Sequence, residues 1–164
     1  MNRDAAYARR YGFPQKVRVV EVGPRDGLQA EPEFVATADK IAMIDRLALA
    51  GIREFEATSF VSPRAVPQLR DAAEVIAGAD RKRPIRLTTL VPNPRGAVAA
   101  AQAGVDAMVV FLSASESHNR KNVNRSRAES LEGFREVVAI AREAGITVQG
   151  AIATAFGCPF EGEV

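Results

Sequence analysis

The segment Glu21-Val22-Gly23-Pro24-Arg25-Asp26-Gly27-Leu28-Gln29 carries the strongest chemical pattern in the sequence. An aliphatic run leads directly into adjacent opposite charges between two glycines, where the backbone is free to turn and both side chains can face a ligand. A hard divalent cation takes carboxylate oxygens, which Asp26 offers, and a fixed guanidinium such as Arg25 stabilises a developing oxyanion. The same tripeptide also reads as an exposed ion pair in a loop. Glu56 stands in Phe55-Glu56-Ala57-Thr58-Ser59-Phe60, a charge flanked by apolar residues at the end of an expected interior strand. Carboxylates are almost never buried unpaired, so Glu56 either faces outward or partners a cation such as Arg25.

Two other residue types invite chemistry and offer less. His118, the only histidine, lies in the polar stretch Ser113 to Asn124. One histidine makes neither a multi-histidine metal site nor, by itself, a Ser-His-Asp triad, so it is expected to be solvated. Cys158, the only cysteine, has no basic neighbour in sequence and is expected to be a small, semi-buried residue. Asn124-Arg125-Ser126 has the form of a glycosylation sequon without a secretory signal to give it meaning. No phosphate loop and no GxGxxG occurs.

The elements that must position these groups alternate as parallel βα units do. Strands are expected at Val17 to Val22, Glu54 to Ala57, Ile85 to Leu90, Ala107 to Leu112 and Thr147 to Ala153. Helical spacing joins Ile41, Ile44 and Leu47 or Ala48; Val66, Leu69 and Ala73; and Leu131, Phe134, Val138 and Ala141. Thr37 and Ser126 are candidate N-caps. Gly51, Gly104 and Gly145 each follow a helix and precede a strand within Ala-Gly-Ile or Ala-Gly-Val, one αβ turn used three times. The expected count is five strands and four helices. Polar residues fall at the C-terminal end of every strand: Arg25 and Asp26, then Glu56, Thr58 and Ser59, then Asn93, then Ser113 and Ser115, then Thr154. That distribution suits a barrel active site better than the single switch point of an open doubly wound sheet. A whole barrel takes about 200 to 250 residues, so the expected fold is α/β, a partial (β/α)8 TIM barrel preceded by an N-terminal extension over 1–16 and truncated after strand five.

Composition sets the outer limits. The chain has 164 residues, 47% hydrophobic and 26% charged, enough for one real core. Its 22 basic and 20 acidic residues are interspersed, which disfavours a nucleic-acid partner. No apolar run approaches the roughly 18 residues of a membrane helix. The opening MNRDAAYARRYGFPQ has no apolar core of a signal peptide, and Asp4 disfavours a transit peptide. A single cysteine excludes an internal disulfide framework and fits a reducing compartment.

Taken together, VEVGPRDGLQ, EFEATSFVSPRAVPQ, LTTLVPNPRG, SASESHNRKNVNRS and FGCPFEG resemble the 3-hydroxy-3-methylglutaryl-CoA lyase family, in order and spacing, from about Val17 onward. The resemblance implies the barrel and a retro-Claisen cleavage of hydroxymethylglutaryl-CoA to acetyl-CoA and acetoacetate in leucine degradation. It also implies a divalent cofactor, Mg²⁺ or Mn²⁺, with Asp26 as ligand, Arg25 on the enolate oxygen, and Glu56 orienting Arg25 or moving a proton. Gln29, Ser59, Ser113 and Asn119 become substrate-side contacts. Leu28 in RDGLQ favours a lyase over the related condensing synthases, which carry an RDGEQ-like variant. The family's His-x-His pair, its metal-binding Asn and its acid cysteine on a glycine-rich loop have no counterpart here, and Cys158 matches an earlier, non-catalytic cysteine. The chain is therefore expected to be the N-terminal part of a lyase, binding metal weakly and inactive alone. The partners expected are an acyl-CoA substrate and further copies of the chain as a homo-oligomer, with no nucleic acid and no membrane, in the cytoplasm or, in a eukaryote, the mitochondrial matrix. Two alternatives are a sister lyase for a longer-tailed hydroxyglutaryl-CoA and a non-catalytic half-barrel whose open edges bind a partner chain.

Overall fold

A computed structural model describes residues 10–14 and 16–164. Most of the extension expected over 1–16, Asp4 included, lies outside the described residues. Five strands, β1 Val20–Glu21, β2 Glu54–Ser59, β3 Arg86–Leu90, β4 Ala107–Ser113 and β5 Thr147–Ala153, form one parallel sheet in the order β1-β2-β3-β4-β5. A doubly wound sheet reverses its strand order partway, whereas strands laid down side by side in chain order trace the arc of a barrel. The helices are α1 Thr37–Leu49, α2 Ala72–Gly78, α3 Pro94–Ala103, α4 Glu116–Val123 and α5 Arg127–Glu143. No helix among the described residues is long and apolar enough to cross a membrane.

The two sheet faces divide by chemistry. Phe55, Ala57, Leu87, Val91, Met108 and Val110 join Ile44, Ala48, Val75, Ile76, Ala97, Ala100, Val137 and Ala141 in one core between sheet and helices. Period-two alternation sends their neighbours Glu56, Leu90, Val109 and Phe111 to the concave face. The αβ turn expected three times is present three times. Gly51, Gly104 and Gly145 have φ of +110°, +80° and +69°, and Ile52, Val105 and Ile146 each donate to the carbonyl five residues back, at 3.1, 3.4 and 2.8 Å. This is the Schellman closure, for which glycine is the residue without steric penalty.

Local differences from the sequence expectations have local causes. The first strand pairs only at Val20 and Glu21, opposite Glu54 and Phe55. The stripe Val66, Leu69, Ala73 is divided between a 3₁₀ turn, Pro67–Leu69, and α2, because Pro67 starts its own turn; Ala72, not Ala73, is buried. In α5 the core face is Phe134, Val137 and Ala141, while Leu131 and Val138 are exposed. Thr37 is the first residue of α1 and not its cap, its hydroxyl donating instead to Asp71 at 2.7 Å. Ser126 does cap α5, in a reciprocal capping box with Glu129. The polar stretch after β4 contains a fifth helix, α4, where a loop was expected.

Candidate active site

The chain leaves β1 through a single wide π-helical turn, Gly23–Gly27, in which the amide N–H of Leu28 reaches back to the Gly23 carbonyl. Such turns are rare and recur at functional sites. Neither Gly23 nor Gly27 has a positive φ, so the bend does not use the left-handed conformation. Gly23 is instead a close approach: a Cβ there would stand 2.9 Å from the Glu21 Oε1 that accepts its N–H. The turn brings the Arg25 guanidinium over the mouth of the sheet. Its Nε donates to Glu56 Oε1, and its Nη1 donates to Asp26 Oδ1 at 2.7 Å.

Glu56 reaches that position through an irregularity in β2. The β2–β3 register shifts between Glu56, opposite Thr88, and Thr58, opposite Thr89. A bulge of this kind re-aims a side chain at a sheet's end. Arg25 and Glu56 are largely buried, with side chains 16% and 13% exposed, whereas the Asp26 carboxylate is 64% exposed. The pair expected from sequence is therefore formed. Arg25 spends two donors on carboxylates and retains Nη2 without an acceptor among the described residues.

Arg25 and Glu56 line a cleft of about 530 Å³ on the concave face, together with Leu90, Val109, Phe111 and Ala151. Gln29 also lines it. Three other expected substrate contacts are turned inward. Ser59 is fully buried and donates to the Leu90 carbonyl at 3.2 Å. Ser113 is fully buried against His118 Nδ1 at 2.7 Å. Asn119 is 1% exposed: its Oδ1 accepts from the Ser113 N–H at 2.9 Å, and its Nδ2 donates to the Arg125 carbonyl and the Ser130 hydroxyl, both at 2.9 Å. These bonds brace the loop after β4. The cleft also exposes Ser62, Asn93, Asn122 and Arg125. In the sequence Arg125 is masked by the apparent sequon it sits in; the legible signal is that Asn124 and Ser126, residue types that end and begin helices, flank it.

His118 is not simply solvated. Its ring packs against Phe160 with centroids 6.0 Å apart and bonds Ser113. Cys158, expected to be semi-buried, is buried, in a tight turn whose backbone pairs with Gly162. Burial pushes its thiol up, but the Ser115 hydroxyl at 2.9 Å and the backbone N–H groups of Phe160 and Glu161 outweigh that and leave it below the ordinary thiol value. The missing signal in sequence was the donors, since no basic residue is involved.

The described residues contain no group of three acidic, histidine or cysteine side chains able to hold a metal. Asp26 fits a hard cation as one solvent-facing carboxylate, and it stands alone in that role. The described residues do not by themselves compose a divalent centre.

Comparison with known proteins matches this geometry to one family. The HMGL-like family model covers residues 16–163. The mitochondrial hydroxymethylglutaryl-CoA lyase of Gallus gallus is 49% identical over 152 residues, 93% of this chain and 51% of the relative. The crystal structure of the Bacillus subtilis HMG-CoA lyase superposes with a TM-score of 0.88 at 48% identity, covering 92% of this chain and 51% of that one. An HMG-CoA lyase from Acinetobacter baumannii, in complex with coenzyme A and 3-methylmalate, gives 0.85 at 44% identity, covering 90% and 48%. The chain thus spans about half the length of the relatives it matches. The partial barrel, the Arg25–Glu56 pair at its mouth and a match running through nearly every described element agree, and the chain belongs to the HMGL-like family.

Proposed function

We propose that this chain supplies the arginine, aspartate and glutamate side of an HMG-CoA lyase active site, which splits 3-hydroxy-3-methylglutaryl-CoA into acetyl-CoA and acetoacetate. The observation that carries this is the guanidinium of Arg25, fixed by Glu56 and Asp26 in the lining of the cleft with Nη2 uncommitted. In the reaction, the tertiary hydroxyl loses its proton, the bond between C2 and C3 breaks, and the electron pair moves onto the thioester as an enolate. C3 becomes the ketone of acetoacetate, and a proton returned to C2 completes acetyl-CoA.

Charge therefore develops on the thioester oxygen, and a donor already oriented before the reaction stabilises that charge more than the ground state. Arg25 fills this role through Nη2. Glu56 is a positioning residue: its carboxylate holds Nε and so sets the plane of the guanidinium. Asp26 serves as one ligand for a divalent cation, Mg²⁺ or Mn²⁺, whose contribution when bound is to lower the cost of deprotonating a tertiary alcohol. Gln29 lies on the cleft wall as a substrate-side contact. Ser59, Ser113 and Asn119 serve the substrate through the loops they hold. The same reaction is the closing step of leucine breakdown, and we assign the chain there.

The test is a chimaera in which this chain replaces the matched half of the Bacillus subtilis lyase. Divalent-dependent release of acetoacetate from HMG-CoA is expected, and Arg25→Gln is expected to lower kcat by about 10²-fold or more. A folded chimaera that binds HMG-CoA and releases no acetoacetate would overturn the reading.

A further inference from the structure

The cleft holds a second arginine, and no side chain among the described residues pairs with it. Arg125 is half-buried and lines the same cleft as Arg25. Among the described residues its guanidinium makes no hydrogen bond and no ion pair; Glu129 feels its charge only through space. Arg25 is balanced by Glu56 within the cleft and by Asp26 beside it. The cleft therefore carries at Arg125 a positive charge without a contacting partner, and partly withdrawing such a cation from water costs free energy that a ligand anion recovers.

Its placement is fixed from three directions. Asn124, in the left-handed conformation at φ +54°, ends α4. Ser126 opens α5 through its capping box. Between them, the Arg125 carbonyl accepts from the buried amide of Asn119 at 2.9 Å. A one-residue link clamped on both sides leaves the side chain little choice of origin. The helix also yields space to it: Gly133, inside α5, would place a Cβ 3.2 Å from Arg125 Nη1. A glycine in a helix interior is unfavourable relative to alanine, and this one admits a guanidinium.

We infer that Arg125 is the anion anchor of this cleft and takes a phosphate of the coenzyme A portion of the substrate. The inference deepens the lyase reading and rests on it. 3-Hydroxy-3-methylglutaryl-CoA has two kinds of anion, the phosphates of the CoA moiety and the free carboxylate of the acyl group. Arg25, which has a free Nη2 beside the metal-ligand carboxylate, serves the acyl end. A second cation in the same cleft, fixed and without a hydrogen-bonded or ion-paired partner among the described residues, suits the second kind of anion that the ligand carries. Arg125 is a binding residue, and no bond is made or broken on it.

The experiment measures direct binding to the 164-residue chain by calorimetry and amide chemical shifts, with three probes: coenzyme A, pantetheine and free 3-hydroxy-3-methylglutarate. Arg125→Gln is expected to weaken coenzyme A by about tenfold or more and to leave pantetheine and the free acid unchanged, while Arg125→Lys recovers part of the loss. Gly133→Ala guards against a folding artefact: it is expected to keep or raise Tm while weakening coenzyme A severalfold, because the guanidinium must shift by a few tenths of an ångström. Equal weakening of the free acid would assign Arg125 to the carboxylate and overturn the inference. So would unchanged coenzyme A affinity in Arg125→Gln, or no coenzyme A binding by the unaltered chain. Failure of the lyase reading looks different: Arg125-dependent coenzyme A binding would persist in a chimaera that cleaves nothing.

Discussion

Arg25 donates through Nε to Glu56, a residue 31 positions further along the chain, and so ties the turn after β1 to the bulged end of β2. The bond joins two side chains that are each mostly out of water. It converts two separate loops into one rigid corner of the cleft. Removing either partner leaves the other charge poorly solvated, so single substitutions overstate the pair's net worth.

A double-mutant cycle on Arg25→Gln and Glu56→Gln, followed by urea unfolding, is expected to give a coupling energy of about 1–3 kcal/mol. Strict additivity would mean that the two groups do not hold each other. In the chimaeric lyase, Glu56→Gln is expected to lower kcat less than Arg25→Gln does, as suits a residue that acts by orienting another.

Gly96, in the first turn of α3, has the closest backbone obstacle of the described glycines. A Cβ there would stand 2.6 Å from the Phe60 carbonyl oxygen, in the loop that follows β2. Because the obstacle is backbone, it cannot swing aside. Gly96→Ala is expected to destabilise the chain by about 1–3 kcal/mol, despite alanine's better helix propensity. A rise in the urea midpoint would contradict the contact. Asn93→Ala, which removes the cap that accepts the Gly96 N–H at 3.0 Å, is expected to cost about 1 kcal/mol.

What the sequence made legible was repetition and punctuation. Three Ala-Gly-Ile or Ala-Gly-Val turns are enough to fix three βα units, because each glycine performs the same closure. The polar strand ends pointed to a barrel, and the strand order agrees. Helix α4 was hidden because its one buried residue is Asn119, so it shows no apolar stripe. The register of α5 slipped because Leu131 and Val138 satisfy helical spacing as well as Phe134 and Val137 do. At the site, opposite charges in sequence predicted the Arg25–Glu56 pair. Ser113 and Asn119 satisfied the composition of a binding loop while spending every bond internally. Sequence records which groups can bond, and only packing decides whether the partner is ligand or protein.

The link between α1 and the turn before α2 rests on a buried ion pair. Lys40 is 2% exposed, and its Nζ donates to Asp71 Oδ1 at 2.6 Å and to the Gln68 carbonyl at 2.5 Å, 4.2 Å from the Phe34 ring centre. Thr37 supplies the other Asp71 oxygen with a donor. Lys40→Met is expected to cost about 3–5 kcal/mol, because it strands a buried carboxylate. Adding Asp71→Leu to it is expected to recover a large part of that loss. If the double variant were less stable than the sum of the two single losses, the stranded charge could not be the cause.

The N-terminus of α5 is set to weaken in acid. Glu129 accepts the backbone N–H of Ser126 at 2.7 Å while the Ser126 hydroxyl accepts the N–H of Glu129 at 3.1 Å. The bond from the Ser126 backbone, followed by the Ser126 hydroxyl beside the carboxylate, holds the Glu129 carboxyl below the usual carboxylate range. A carboxyl whose pKa is lower folded than unfolded adds stability above its unfolded value and loses it as the pH falls through the folded one. Glu129→Gln keeps an oxygen for the Ser126 N–H and removes the titration. The unaltered chain is therefore expected to be more stable than Glu129→Gln at pH 7, and the difference should shrink as the pH drops below the ordinary glutamate value. Because the same segment clamps Arg125, amide exchange at Ser126 to Ser130 should quicken over that range in the unaltered chain and stay level in the variant. A stability difference that held constant from pH 7 into acid would mean that the capping box does not depend on the charge of Glu129.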